Sequence, residues 1–419
     1  MLQYILFSRT GCRINACRSA PCNLLAHNDL LVSETQNAIH SRVLSTKIKM
    51  GHPLLLKTAN LDPVPEDRPG TEAPPAPASA AITFSTSYTE CYDSRFFVEA
   101  NGQKVNVYTK GVFDDVPLIF FVHGAGFSGL SFGPLVKRVH TEGFCAALDL
   151  RGHGLTVNED GTTAPGDSMT IGNFVADCKA VLDHLFTHMY KPANENAQKK
   201  SILLCGHSLG GSIVARLAVE LQESYDIQLC CLIDINETVA IGAIPNMMSV
   251  LRKKPLAFSS EEALVSWLLS SHTLYSRSSA LFQAPGLIHG SQHPNSGRVI
   301  ADLINSDDNW RDWFIGLNDN FLGKYPGYKL LFIGGMEKLD KETEIAHMQG
   351  KLSIEVVPNS GHNLHEDDPN TVAFYFIKYL RRMHLSKKLI HKPFDFKKKD
   401  PDEDPIPLEE IKRLYGSGQ

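Results

Sequence analysis

No apolar run in this 419-residue chain reaches the roughly 18 residues that would cross a bilayer, so no membrane span is expected. Charge of one sign is not in excess either. The 41 Lys and Arg against 46 Asp and Glu leave a formal net charge of −5, which gives no electrostatic footprint for nucleic acid. Among nine cysteines there is no Cys-x-x-Cys pair, and Cys12, Cys17 and Cys22 recur every five residues without a histidine partner, so no metal site is expected. The number of thiols is odd, and Cys145, Cys178, Cys205, Cys230 and Cys231 sit in apolar segments. That pattern reads as buried thiols in a reducing compartment, cytoplasmic or nuclear, and not as a disulfide framework. What is present is an ordinary globular composition, 43% hydrophobic and 21% charged. The length suits one large α/β unit with an insertion.

The two ends differ from the middle. Residues 1–28 carry Arg9, Arg13 and Arg18 and no acidic residue, a composition that suits either a mitochondrial transit peptide or a disordered leader. Residues 63–77 are rich in proline, alanine and charge, as linkers are. Residues 387–419 hold a lysine run and then an acidic run, with few apolar groups to bury. The expected organisation is therefore a disordered leader and linker over 1–87, a folded domain over 88–383 and a charged tail over 384–419.

Within the domain the pattern alternates between strands and helices. Residues 95–100 and 104–109, joined by Asn101-Gly102, predict an opening hairpin, because Asn-Gly suits a type I′ turn. Short continuous apolar runs at 117–122 and 144–150 suit strands buried on both faces of a mostly parallel sheet. Further strands are predicted at 201–205, 228–235, 329–334 and 353–357, with helices at 171–186 and 371–384. Residues 236–328 separate two adjacent strands by far more than an ordinary connection, and 260–271 within them has helical spacing. An inserted helical cap over the site is the natural reading.

Gly206-His207-Ser208-Leu209-Gly210-Gly211 lies between a predicted strand and an amphipathic segment, 212–221. Alone, Gly-x-Ser-x-Gly is common in flexible loops. Between a strand and a helix it fits a nucleophile elbow, in which a strained turn lifts the serine hydroxyl clear of the sheet while backbone passes close by. Ser208 is thus the candidate nucleophile. Its partners should lie at the carboxyl ends of the strands. His362 follows the last predicted strand and completes the chain order nucleophile, acid, histidine; imidazole can take the serine proton and return it to a leaving group. His365 is the nearby competitor, set deeper in an acidic run.

The acid stays open on position alone. Asp234 ends the 228–235 strand, whereas Glu337 and Asp340 follow the next strand in what reads as an exposed, lysine-flanked turn. A carboxylate at either edge could orient the imidazole. Backbone amides of Leu209 and of Ala125, in the loop His123-Gly124-Ala125-Gly126, are the candidates for an oxyanion hole. The stretch Asp149-Leu150-Arg151-Gly152-His153-Gly154 lies on the same rim, where Asp149 and Arg151 are expected to pair and brace the site. Such chemistry calls for no metal and no organic cofactor.

Four of these segments, 123–128, 149–154, 206–211 and Gly361-His362, together resemble the α/β-hydrolase superfamily. A more specific resemblance, over roughly residues 88–383, is to the protein phosphatase methylesterases. It is carried by Cys231-Leu232-Ile233-Asp234, by Trp310-Arg311-Asp312-Trp313-Phe314-Ile315-Gly316-Leu317, by Leu339-Asp340-Lys341, by Met348-Gln349-Gly350-Lys351 and by Gly361-His362-Asn363-Leu364-His365-Glu366-Asp367. The resemblance implies an α/β-hydrolase fold with a mostly parallel sheet and a helical cap, and Ser208, Asp234 and His362 as nucleophile, acid and base. It also implies a substrate and partner, the catalytic subunit of protein phosphatase 2A methylated at its C-terminal leucine. The sequence departs from that family's pattern after the acid, where Ile235-Asn236-Glu237-Thr238 stands for Val-Val-Glu-Gly, and Ala125 stands near a loop glycine. Cap residues Met247, Met248, Trp267, Trp310 and Trp313 are candidates either for partner contacts or for the cap's own core. The elbow itself is equally compatible with a general carboxylesterase or lipase on small or lipid esters. A catalytically silent phosphatase-binding scaffold is the other alternative.

Overall fold

Asn101 and Gly102 both take positive φ (50° and 76°), as a type I′ turn requires, and they join the first two strands in register from Ser94 opposite Thr109 to Ala100 opposite Gln103. The computed structural model describes residues 81–192 and 200–390. The expected leader as far as residue 80, with its arginines, its three cysteines and the 63–77 linker, lies outside the described residues, as does the tail from 391.

The elements are β1 (Ser94–Ala100), β2 (Gln103–Lys110), β3 (Leu118–Val122), α1 (Gly133–Val139), β4 (Phe144–Leu148), β5 (Val157–Asn158) and α2 (Ile171–His188). There follow β6 (Ser201–His207), α3 (Leu209–Leu221), β7 (Asp226–Ile233), α4 (Glu237–Lys253), α5 (Glu261–Ser270), α6 (Arg277–Leu287) and α7 (Asp307–Phe314). The chain closes with β8 (Tyr328–Ile333), α8 (Lys341–Met348), β9 (Ser353–Val356), α9 (Leu364–Asp367) and α10 (Pro369–Ile390). One sheet runs in the order β1-β2-β4-β3-β6-β7-β8-β9, with β5 paired to β2. From β4 to β9 every neighbour is parallel, whereas β2 runs antiparallel to each of its partners, β1, β4 and β5.

The five residues of β3 are all buried, and they divide by strand alternation. Leu118, Phe120 and Val122 face one core with α2 and α3, while Ile119 and Phe121 face the other with α1 and α10. A sheet covered on both faces explains why these strands read as continuous apolar runs. Cys145, Cys178, Cys205, Cys230 and Cys231 are buried free thiols.

The insertion between β7 and β8 is of two kinds. Its first part is capped by Asn236, whose Oδ1 accepts from the Val239 amide, and builds a separate small core from α5 and α6 around Leu264, Val265, Leu268 and Leu287. Its second part returns to the body: Trp310 and Trp313 are fully buried in the main core, with their indole N–H groups on Ser306 Oγ (3.0 Å) and the Met169 carbonyl (2.7 Å). These two tryptophans are therefore core and not contact surface. The folded region also starts earlier than residue 88. Ile82 and Phe84 pack on the cap core, and Thr86 Oγ1 donates to the Leu281 carbonyl.

Candidate active site

β6 runs through Gly206 and His207 and stops at Ser208, where φ is 50° and ψ −118° and α3 begins at the next residue. This left-handed φ is strained for a serine. The turn is possible because its neighbours carry no Cβ: one added at Gly210 would stand 2.0 Å from the Val122 carbonyl oxygen. Ser208 thus stands at the carboxyl edge of the central strand, at the start of a helix whose unbonded amides include that of Leu209.

Asp234, directly after β7, also has a positive φ, 49°. Its buried carboxylate accepts from His362 Nδ1 (2.8 Å), from the Gly334 amide (3.2 Å) and from Lys338 Nζ (3.0 Å). Burial by itself disfavours the ionised form. The hydrogen bond and charge of His362, then the Lys338 ammonium, outweigh burial and hold the Asp234 carboxyl below the usual range. Because a carboxylate only accepts, Nδ1 of His362 carries the proton and Nε2 is left as the basic nitrogen. His362 is half exposed, whereas Asp234 is 5% exposed.

Ser208, Asp234 and His362 line one cavity of about 350 Å³ together with Gly124, Ala125 and the cap residue Met247. The rest of its wall is largely apolar, from Ile235, Val239, Ala240, Ala243, Phe314 and Ile333. Of the five cap residues singled out from the sequence, only Met247 reaches it.

The competing acids are accounted for otherwise. Glu337 is exposed. Asp340 is not in an exposed turn, as its lysine neighbours suggested; it is 5% exposed and caps α8, accepting from the Thr343 amide (2.9 Å) and from Asn318 Nδ2 (2.9 Å). His365 is fully buried, stacked on Phe132 at 4.5 Å, and burial pushes it down to about 3, so it stays neutral.

The expected pairing of Arg151 with Asp149 does not occur. Arg151 makes a bidentate pair with Asp177 of α2 (3.0 and 2.9 Å). Asp149 instead accepts from the amides of Gly129 (2.7 Å) and Leu155 (2.8 Å) and from Asn106 Nδ2 (2.9 Å). The bracing role belongs to two histidines. His123 Nδ1 donates to the Gly124 carbonyl while Nε2 accepts from the Leu150 amide (2.9 Å). His153 Nδ1 donates to the Arg151 carbonyl while Nε2 accepts from the Gly126 amide (3.0 Å). Both rings are thereby fixed in one neutral tautomer, in keeping with burial that pushes His153 down to about 4 and His123 well below its usual range. Together they hold the 123–126 loop, with Ala125, against the turn after β4.

Two side chains beside the site were given no role from the sequence. His207 is buried under the elbow and donates from Nε2 to the His362 carbonyl (2.9 Å), tying the nucleophile strand to the histidine loop. Its Nδ1 has no partner and faces Gly124, where a Cβ would come within 2.7 Å. Lys338 was visible only as a flanking charge.

Residues 119–373 match the model of the alpha/beta hydrolase family, and the sheet order and elbow are those of that class. The E-2-(acetamidomethylene)succinate hydrolase structure superposes with a TM-score of 0.55 at 18% identity, covering 69% of this chain and 99% of that one, which supports the fold alone. Protein phosphatase methylesterase 1 of Candida albicans is 32% identical over 365 residues, 84% of this chain and 93% of its own. The Saccharomyces cerevisiae protein of the same name is 36% identical over 277 residues, 64% of this chain and 67% of its own. That of Gibberella zeae is 34% identical over 276 residues, 64% and 66% respectively. The chain belongs to the protein phosphatase methylesterase family, and it is a serine hydrolase of the carboxylic ester hydrolase class.

Proposed function

We propose that this esterase removes the methyl ester from the C-terminal leucine of the catalytic subunit of protein phosphatase 2A, with Ser208 as nucleophile, His362 as base and Asp234 as its orienting acid. The observation that carries the assignment is the 2.8 Å bond from His362 Nδ1 to Asp234, made on the wall of the cavity that also holds the strained Ser208. Ser208 Oγ attacks the ester carbonyl as its proton passes to His362 Nε2. The carbonyl oxygen, now an anion, is stabilised by the amides of Ala125 and Leu209. The carbon–methoxide bond then breaks, and methanol leaves with the proton from His362. Water repeats the steps on the acyl-enzyme, releasing the free carboxylate and restoring Ser208.

A small, largely apolar cavity suits a leucyl side chain at the acyl position, and the rest of the selectivity would come from surfaces around its mouth. The test is incubation of the purified chain with methylated phosphatase, reading methanol release and loss of the ester. Release that disappears in Ser208→Ala supports the proposal. Rapid cleavage of a short chromogenic ester with the protein ester left intact would instead mark a general carboxylesterase. A wild-type chain that a fluorophosphonate probe fails to label would mark a silent scaffold.

A further inference from the structure

Helix α4 leaves the active-site cavity at Met247 and ends against a second cavity, of about 420 Å³, lined by Leu251, Lys254, Leu256, Arg298, Asp302 and Leu303 among others. The two cavities are neighbours. Leu303 lies so close to Gly126 of the 123–126 loop that a Cβ there would stand 3.0 Å from it. At about 1.5 Å per residue, Lys254 lies about 10 Å beyond Met247 and about 16 Å beyond Ala243 along the helix.

This second cavity has an unbalanced charge. Lys254 sits over the Trp267 ring at 5.6 Å, and among the described residues neither it nor Arg298 forms an ion pair. Burial without a counter-ion pushes the Lys254 ammonium down to about 8. The one carboxylate on the wall, Asp302, accepts from the Asn305 side-chain amide (2.7 Å), a neutral donor, and offsets one of the two cations. The backbone that presents Arg298 is fixed, since Ala257 pairs with Arg298 and the Val299 amide donates to the Leu256 carbonyl (2.9 Å). Leu256, 63% exposed, adds an apolar rim. A fixed wall that carries two cations against one carboxylate has a net positive charge and can receive an anion.

Resting on the peptide-ester reading above, we propose that this cavity is a recognition subsite for an acidic side chain of the substrate, which Lys254 and Arg298 receive as a carboxylate. An extended peptide advances about 3.3 Å per residue, so the 10 to 16 Å span places that residue roughly three to five positions before the methyl-esterified C-terminus. The subsite selects the substrate before chemistry. It gives an acidic chain an advantage that a small ester cannot claim.

The test uses fluorescein-labelled octapeptides ending in leucine methyl ester, with one aspartate moved through the positions three to five before the ester and asparagine in its place as control. Binding to the Ser208→Ala chain is read by fluorescence anisotropy. One position should bind roughly tenfold tighter as aspartate than as asparagine, and the advantage should shrink in high salt. It should vanish in Lys254→Met and in Arg298→Gln, and persist in Lys254→Arg. Equal binding of the two series, an advantage that survives both variants, or no binding by any peptide overturns the subsite. Thermal melting checks each variant; Arg298 is exposed, so Arg298→Gln keeps the test open if Lys254→Met unfolds the cap. Turnover of the same peptides by the unsubstituted chain reads the underlying function separately. Charge-selective binding without hydrolysis sinks the peptide-esterase reading and keeps the subsite, whereas hydrolysis without charge selectivity does the reverse.

Discussion

The Nδ1 proton of His362 is shared with Oδ2 of Asp234 over 2.8 Å, linking the loops after β9 and β7 across 128 residues of chain. This one bond decides which nitrogen of the imidazole is free, because the carboxylate can only accept. In the proposed mechanism it also stabilises the imidazolium that forms when Ser208 gives up its proton.

Replacing Asp234 by Asn should therefore cost about four orders of magnitude in turnover, since an amide can hold the ring in the wrong tautomer and carries no charge. Glu337→Gln should leave turnover close to that of the parent chain, because Glu337 is exposed and makes no bond to the imidazole. Steady-state kcat on a single ester checks both. The opposite ranking would move the acid to the loop after β8.

The elbow makes a prediction about folding that is independent of the reaction. Gly210→Ala would set a methyl group 2.0 Å from the Val122 carbonyl oxygen, so α3 and β3 would have to part, and the melting temperature should fall steeply or the chain should fail to fold. Gly242 is exposed on α4 with nothing within 4 Å of a Cβ, and Gly242→Ala should raise stability by up to about 1 kcal/mol. Thermal unfolding of the two variants beside the parent reads the contrast.

The contrast also separates what the sequence could and could not reveal. The parallel strands were legible because two-sided burial writes an unbroken apolar run, and the elbow because close backbone approach demands glycine at fixed spacing. Those are local constraints. Which carboxylate meets His362 is not local: Asp340 and Asp234 both follow strand ends, but the chain after Leu339 turns into α8 and spends Asp340 on its N-cap. Likewise Arg151 finds Asp177 on α2, 26 residues on, where no pattern near Arg151 announces a partner. Trp310 and Trp313 read as cap residues from their place between β7 and β8, and only the return of α7 to the main core shows them buried.

Acid should destabilise the fold through its buried histidines. Burial pushes His365 down to about 3 and His153 down to about 4, below the roughly 6.5 of an unfolded chain. The unfolded state then binds more protons, so the stability from these neutral rings is full above about pH 6.5 and is lost as pH falls toward 3 to 4. Asp149 works the other way, raised by burial to about 6 against hydrogen bonds that lower it, so its neutral form favours the fold between about 4 and 6. The histidines outnumber it, and melting temperatures taken from pH 7 to pH 4 should fall. His365→Phe, which keeps the stack on Phe132, should flatten that fall; an unchanged slope would place its cause elsewhere.

Lys338 offers a sharper test of the site's charge balance. Its Nζ lies 3.0 Å from Asp234 Oδ2, the same oxygen that accepts from His362, so one carboxylate serves two donors. The ammonium favours the ionised acid and opposes a second positive charge beside it. Lys338→Met removes both effects, and each has the same sign: Asp234 becomes easier to protonate, and charge on the neighbouring imidazole is better compensated. The acid limb of the kcat/KM profile on a peptide methyl ester should therefore move to higher pH, by up to about one unit. Lys338→Arg should restore the parent profile. Lys338 is partly exposed, so the shift in the methionine variant should be smaller when activity is compared with the parent at high ionic strength. An acid limb that stays in place would mean that Lys338 only closes the rim and leaves the proton balance of the proposed triad untouched.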